Sequence, residues 1–221
     1  MLKGVLFDMD GVIVDTEPLH HKAYHLMFDD VEIEVTPELY QSFTGQSTLN
    51  ICKRLCDHFG VTETPETLVQ LKRKHFKHIF ANDPSLQLID GVLDIIKEYH
   101  ERELKLVLAS SASMMTINNI FDRFDLNQYF IEKFSGADLQ QSKPHPEIFE
   151  KAAFSTGYER SQCMVIEDST NGIKAANAAK IFCVGYDSVH SKNQDYSIAN
   201  HVISDFSEIQ HDKMQAIFKG K

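Results

Sequence analysis

The sequence is short of positive charge: 22 lysines and arginines stand against 32 aspartates and glutamates, a formal net charge of −10 at pH 7. Binding to nucleic acid draws on a basic surface that releases phosphate counterions, and no long stretch supplies one, so nucleic acid is not an expected partner. Long apolar runs are missing too. None approaches the ~20 residues of a membrane span, and no basic stretch leading into an apolar segment marks a signal peptide near Met1. The expectation is a soluble, cytoplasmic protein without a membrane partner. Cysteine is scarce. Cys52, Cys56, Cys163 and Cys183 form no CxxC pair, and the first two, one helical turn apart, read as thiols packed in a core. The 11 histidines fall in no HExxH-type spacing, which speaks against zinc.

What is present is an ordinary globular chain of 221 residues, 43% apolar and 24% charged, long enough for one domain with a modest insertion. Lys3–Asp8 is a short apolar run ending in a carboxylate, and Asp10-Gly11 follows as a turn, which together read as a buried parallel strand and its loop. From Thr16, a plausible N-cap, the pattern turns helical, with Leu19, Ala23, Leu26 and Met27 on one face. Helices follow at about 37–43, 48–59 and 65–81 without a strand between them. The basic run Lys72-Arg73-Lys74-His75-Phe76-Lys77-His78 lies in the last of these. It reads as the solvated side of an amphipathic helix or as residues that meet an anionic substrate. Asn82-Asp83-Pro84 looks like a return linker.

From Gly91 helices alternate with strands at about 104–109, 131–134 (weak), 164–167, 181–184 and 201–203. Continuous apolar strands that alternate with helices predict a doubly wound, Rossmann-like parallel sheet covered on both faces. The helical block is then an insertion, which gives a core of residues 1–15 and 83–221 and a helical domain of residues 16–82. In such sheets ligands bind beyond the carboxyl ends of the strands. Four polar groups stand there: Asp8 with Asp10, Ser110, Lys143 in a loop before a helix, and Glu167-Asp168. Two carboxylates ~4 Å apart repel by about 4 kcal/mol at an effective dielectric near 20, so Asp8, Asp10 and Asp168 cannot all stay ionised unaided. A hard divalent cation removes the conflict, and magnesium favours such oxygen donors. Cation, lysine and hydroxyl together suit a phosphoryl group, for which an aspartate can serve as acceptor.

These residues resemble the haloacid dehalogenase superfamily of phosphotransferases. Phe7-Asp8-Met9-Asp10-Gly11-Val12-Ile13-Val14-Asp15-Thr16 is similar to its first motif, Ser110 after an apolar strand to the second, Ser142-Lys143-Pro144 to the third, and Ile166-Glu167-Asp168-Ser169 to the fourth. The resemblance implies that Asp8 attacks phosphorus and that Asp10 acts first as acid and then as base. It implies that Asp8, the Asp10 carbonyl and Asp168 hold Mg2+, that Glu167 supports either that metal shell or Lys143, and that Ser110 and Lys143 bind the transferring phosphoryl. A bland alternative for Ser110 is a helix cap. The insertion looks like the family's small helical cap domain.

Within the superfamily, Asp15-Thr16-Glu17-Pro18-Leu19-His20 looks closest to the beta-phosphoglucomutase and sugar-phosphatase branch. Thr16, His20, Gly45, Gln46 and Ser111 are then candidate substrate contacts, with Lys72, Lys74 and Lys77 as further cap candidates. A mutase holds a second phosphate with an arginine shortly after a cap Gly-x-Ser. Here Gly45-Gln46-Ser47-Thr48 has no arginine before Arg54, and Ala112 and Met114 stand where donors would be useful past Ser110. The expectation is a phosphohydrolase acting on a small phosphate ester, probed against a mutase alternative and against a non-catalytic module that intact Asp8 and Asp10 disfavour. A monomer suits a cap that must swing.

Overall fold

The computed structural model describes residues 1–43, 48–83, 86–188, 191 and 193–220, so Gly45 and Gln46 lie outside the described residues. The chain divides into two compact units, Thr16–Leu86 and the combination of Met1–Asp15 with Gln87–Lys221. The return boundary thus falls at Gln87.

The smaller unit contains α1 (Glu17–Asp30), α2 (Pro37–Gln41), α3 (Thr48–Phe59) and α4 (Pro65–Asn82). Thr36 and Thr64 cap α2 and α4 by accepting the N–H of Leu39 and Thr67, and a proline follows each cap, where its missing N–H costs nothing. Thr16 occupies the N-cap position of α1, but its hydroxyl makes no capping bond. On α1 the buried face is Leu19, Ala23, Tyr24, Met27 and Phe28, while Leu26 is 39% exposed. Leu19, Ala23 and Met27 lie on the buried face as expected; Leu26 does not, and Tyr24 and Phe28 complete that face in its place. They pack with Ile51, Cys52, Leu55 and Leu68 into the core of this unit. Lys72 corrects a second expectation. Lys74 and Lys77 are exposed, whereas Lys72 is buried.

The larger unit is built on β1 (Gly4–Phe7), β2 (Lys105–Ser110), β3 (Phe130–Ser135), β4 (Cys163–Glu167), β5 (Phe182–Tyr186) and β6 (His201–Ile203), with α5 (Val92–Glu101), α6 (Met114–Arg123), α7 (Glu147–Thr156), α8 (Thr170–Ala178) and α9 (His211–Lys219) around them. The strands form a single parallel sheet in the order β3-β2-β1-β4-β5-β6. Residues two apart share a face. Leu6, Val107, Ala109, Val165 and Cys183 meet Ile148, Phe149, Ala152 and Ala153 of α7 and Ile173, Ala175 and Ala176 of α8. The alanines let α8 approach closely. Val5, Phe7, Leu106, Leu108, Met164 and Ile166 fill the opposite face, and every one of them is fully buried. This is why the central strands read as unbroken apolar runs. The edge strand β3, with Ile131 half-exposed, gives only a weak signal. Among the described residues no helix is long and apolar enough to cross a membrane.

Candidate active site

The register of the sheet assembles the site. Phe7, the last residue of β1, pairs with Leu108 of β2 and Ile166 of β4. One step further the chain leaves the sheet at Asp8, with Ala109-Ser110 on one side and Glu167-Asp168 on the other. Strand order reverses here: β2 and β3 lie to one side of β1, and β4 to β6 to the other. That crevice is where parallel sheets hold ligands.

Lys143 joins the two sides. Its ammonium donates to Asp8 Oδ1 (2.5 Å), Glu167 Oε1 (2.7 Å) and the Ala109 carbonyl (2.9 Å), so three hydrogens meet three acceptors. The side chains of Lys143, Asp8 and Glu167 are 6%, 9% and 1% exposed. Burial alone would push the Lys143 ammonium toward neutrality, but the carboxylates of Asp8 and Glu167 outweigh it and hold its pKa above the ordinary lysine value. The other oxygen of Glu167 accepts the N–H (2.8 Å) and hydroxyl (2.9 Å) of Ser169. Both Glu167 oxygens are thus engaged within the protein. Of the two supports considered for it, the geometry favours the one to Lys143.

Two glycines make room for these carboxylates. Gly11 has φ +81°, and a Cβ there would lie 2.0 Å from Asp168 Oδ2. The first loop and Asp168 therefore come together only because residue 11 has no side chain. That loop winds tightly, the Met9 carbonyl accepting from the N–H groups of Val12, Ile13 and Val14. Gly172, in the first turn of α8, does the same for Glu167: an added Cβ would fall 1.7 Å from Oε1. Asp168 Oδ2 accepts the hydroxyl of Ser191. Ser110 is fully buried and its Oγ accepts the N–H of Ala112 (3.1 Å), while Ser111 is exposed. The cap of α6 is Ser113, not Ser110, because Ser113 accepts the Thr116 N–H. Ser110 is thereby available for another role.

The carboxylates outnumber their cation. Burial, and then the neighbouring Glu167, Asp168 and Asp10, push Asp8 well above its ordinary value against the pull of Lys143. Burial, followed by Glu167, pushes Asp168 up to about 7. Two strand-end acids pushed up by burial and by their neighbours form a donor set whose anionic form a cation would favour. Among the described residues no three His, Cys, Asp or Glu side chains form a ready-made metal cage. The donor set instead offers the carboxylates of Asp8 and Asp168 with backbone carbonyls nearby. That suits magnesium, which keeps several waters and rarely takes an all-protein cage, and it does not suit zinc.

In the smaller unit, His20 and Lys72 form a pair of their own. Lys72 Nζ donates to His20 Nδ1 (2.6 Å), which leaves the ring proton on Nε2, and the imidazole stacks on Phe76 with centroids 4.3 Å apart. Burial, then Lys72, lowers His20 to about 3, and burial lowers Lys72 to about 8. Arg54 donates to the Ser42 carbonyl (3.2 Å) and hydroxyl (3.0 Å). Sequence reasoning missed Gly172, Ser191 and the inward turn of Lys72. The helical spacing of Lys72 from Leu68 and Phe76 was the one available signal.

The model for the haloacid dehalogenase-like hydrolases matches residues 5–186. A phosphorylated carbohydrates phosphatase of Thermotoga maritima is 28% identical over 192 residues, which is 87% of this chain and 88% of that protein. The fructose-1-phosphate phosphatase YqaB of Escherichia coli is 28% identical over 181 residues, 80% of this chain and 92% of that one. A crystal structure of a beta-phosphoglucomutase from Clostridium difficile superposes with a TM-score of 0.75 at 23% identity, covering 100% of this chain and 98% of the other, a likeness of fold. With a family match over most of its length and the strand-end acids of a parallel sheet gathered at one lysine, the chain belongs to the haloacid dehalogenase-like hydrolases.

Proposed function

We propose that this protein is a magnesium-dependent phosphatase that removes phosphate from a small phosphorylated carbohydrate by way of a phosphoryl group carried on Asp8. The observation that carries the reading is the buried Lys143 ammonium bound at once to Asp8 and Glu167 at the switch point of the sheet. A carboxylate so placed has a fixed cation beside the position where phosphoryl oxygens would gather charge. The substrate class is supported by the names of the two phosphatases just described.

In the first step an Asp8 oxygen bonds to phosphorus, the bond from phosphorus to the sugar oxygen breaks, and the Asp10 acid protonates that leaving oxygen. In the second, Asp10, now a carboxylate, takes a proton from a water whose oxygen bonds to phosphorus. The Asp8–phosphorus bond then breaks and inorganic phosphate leaves with Asp8 and Asp10 restored. The Ser110 hydroxyl holds the phosphoryl oxygens together with Lys143, one of whose three hydrogens turns from its protein acceptor to the substrate. Asp8, the Asp10 carbonyl and Asp168 would hold magnesium, which when bound would supply the positive charge that lets an anionic carboxylate approach an anionic ester. Glu167 keeps Lys143 in place. The helical unit acts as the cap that selects substrate, with Thr16, His20, Gly45 and Gln46 as its contacts and Ser111 as a contact from the core.

The test is release of inorganic phosphate from a panel of hexose, pentose and hexitol phosphates in the presence of Mg2+. At least one is expected to turn over, and Asp8→Asn to lower that rate by roughly 10³-fold or more. Interconversion of glucose 1- and 6-phosphate without phosphate release would overturn the reading in favour of a mutase. Binding of Mg2+ and a beryllofluoride phosphate mimic that ignores Asp8→Asn would overturn it in favour of a non-catalytic module.

A further inference from the structure

Ser191 and residues 194–196, which come after β5, are fastened to the turn that carries Asp168. The Ser191 hydroxyl donates to Asp168 Oδ2, and the Tyr196 hydroxyl donates to the backbone carbonyl of the same residue at 3.0 Å. Two more bonds tie the same two pieces of chain: the Thr170 N–H donates to Gln194 Oε1 (2.8 Å), and the Asp195 N–H to Thr170 Oγ1 (2.8 Å). The Tyr196 ring reaches this position over Gly185 of β5, where an added Cβ would come within 2.9 Å of it. Asp168 is thus gripped at its carboxylate by one residue and at its carbonyl by another, both more than twenty positions later in the sequence.

We infer that Ser191 and Tyr196 are positioning residues which fix the orientation of the Asp168 carboxylate and so set how tightly the protein holds its divalent cation. This rests on the reading of Asp168 as a magnesium ligand. The physical reason is directional. A carboxylate free to rotate about its side-chain bonds offers either oxygen in many directions, and binding a cation must then stop that motion. Once Ser191 has claimed Oδ2 and Gly11 has let the group lie close over the first loop, the remaining oxygen Oδ1 points one way. Hydrogen-bond partners that stand behind a metal ligand in this manner change metal affinity by about 10- to 100-fold when removed.

A merely structural role for the same bonds, docking one loop on another, makes a different prediction. The two are separated by titrating MgCl2 calorimetrically into the metal-free full-length protein and, in parallel, melting the metal-free protein by circular dichroism. Ser191→Ala is expected to weaken Mg2+ binding by about tenfold while leaving the metal-free melting temperature close to wild type, Ser191→Thr to restore affinity, and Tyr196→Phe to weaken binding less than Ser191→Ala. The inference falls if Ser191→Ala and Tyr196→Phe both bind Mg2+ as wild type does. It falls equally if the loss is matched by lower metal-free stability and Ser191→Thr does not rescue it. Asp168→Asn separates the two layers of argument. If that variant binds Mg2+ as well as wild type, Asp168 is not a ligand and the reading beneath the inference fails. If it loses binding while Ser191→Ala does not, only the inference fails.

Discussion

Replacing Gly172 by alanine pits two effects of known size against each other. Residue 172 lies inside α8, where alanine is favoured over glycine by about 1 kcal/mol. Propensity alone predicts a more stable protein. The added methyl, however, would sit 1.7 Å from Glu167 Oε1, 1.8 Å from Cδ and 2.3 Å from Oε2. The carboxylate is the far end of a flexible side chain and could swing away if nothing held it. Here it is held by Lys143, the Ser169 N–H and the Ser169 hydroxyl, at 2.7, 2.8 and 2.9 Å. Swinging away leaves a buried lysine without one of its two carboxylates, a loss of the kind that costs about 3–5 kcal/mol when a buried pair is broken. The net expectation for Gly172→Ala is a loss of about 2–4 kcal/mol, with phosphate release falling because Lys143 is no longer anchored. The protein has no tryptophan, so urea unfolding is best followed by circular dichroism. The same substitution in a Glu167→Ala background closes the cycle, since with no carboxylate to displace it should be neutral or stabilising. A Gly172→Ala single variant that is more stable than wild type by about 1 kcal/mol would refute the account of Glu167 as a pinned anchor.

Two further perturbations test the charge balance. Lys143→Met leaves Asp8 and Glu167 facing each other in a buried site, so the metal-free protein should lose about 3–5 kcal/mol at pH 8. Without the lysine the folded-state pKa of Asp8 climbs further above its unfolded value, the native state binds the extra proton, and stability falls as pH rises. The deficit against wild type should therefore shrink by pH 5, and an equal deficit at both pH values counts against the argument. In the helical unit His20 works in the opposite sense. Its folded pKa of about 3 lies below the unfolded 6.5, so below pH 6.5 the unfolded chain takes up the proton first, and stability is lost as pH falls toward 3. At pH 5 the loss is about 2 kcal/mol relative to pH 7.5, and His20→Gln, which does not titrate, should show less acid destabilisation in the same urea experiment.

Much of this could be read before any coordinates because the informative residues are of two kinds. Val5, Leu6, Phe7 and Met164, Val165, Ile166 are buried on both faces of the sheet, so each run declares a central strand without reference to its neighbours. Asp8, Ser110 and Glu167-Asp168 stand where those runs stop, and a parallel sheet must place such ends together. What escaped depends on contacts across the chain. Leu26 and Tyr24 are equally apolar by pattern, and only the packing of α1 against α4 decides that the tyrosine goes in and the leucine out. Lys72 carries a charge, which by itself says surface. It is buried because His20 Nδ1, the face of Phe76 and the face of Tyr24 all accept its ammonium. The grip of Ser191 and Tyr196 on Asp168 crosses more than twenty residues through a polar segment with no periodicity to follow.

The charge count explains why the chemistry was more visible than the substrate. Asp8, Glu167 and Asp168 as anions carry three negative charges, and Lys143 returns one. The site is then two charges short of neutral, with Asp10 adjacent and required to carry a proton if it is to act as an acid. A folded protein can close that gap in two ways: by binding protons, the direction in which burial and like charge push Asp8 and Asp168, or by binding a divalent cation. Protons and a cation would compete for the same oxygens. This competition follows from residue types at strand ends, so the sequence already contains it. Recognition of the proposed substrate would not follow from it, because the residues proposed for that task, such as Gln46 and Thr16, are neutral and carry no charge whose balance could betray their partner.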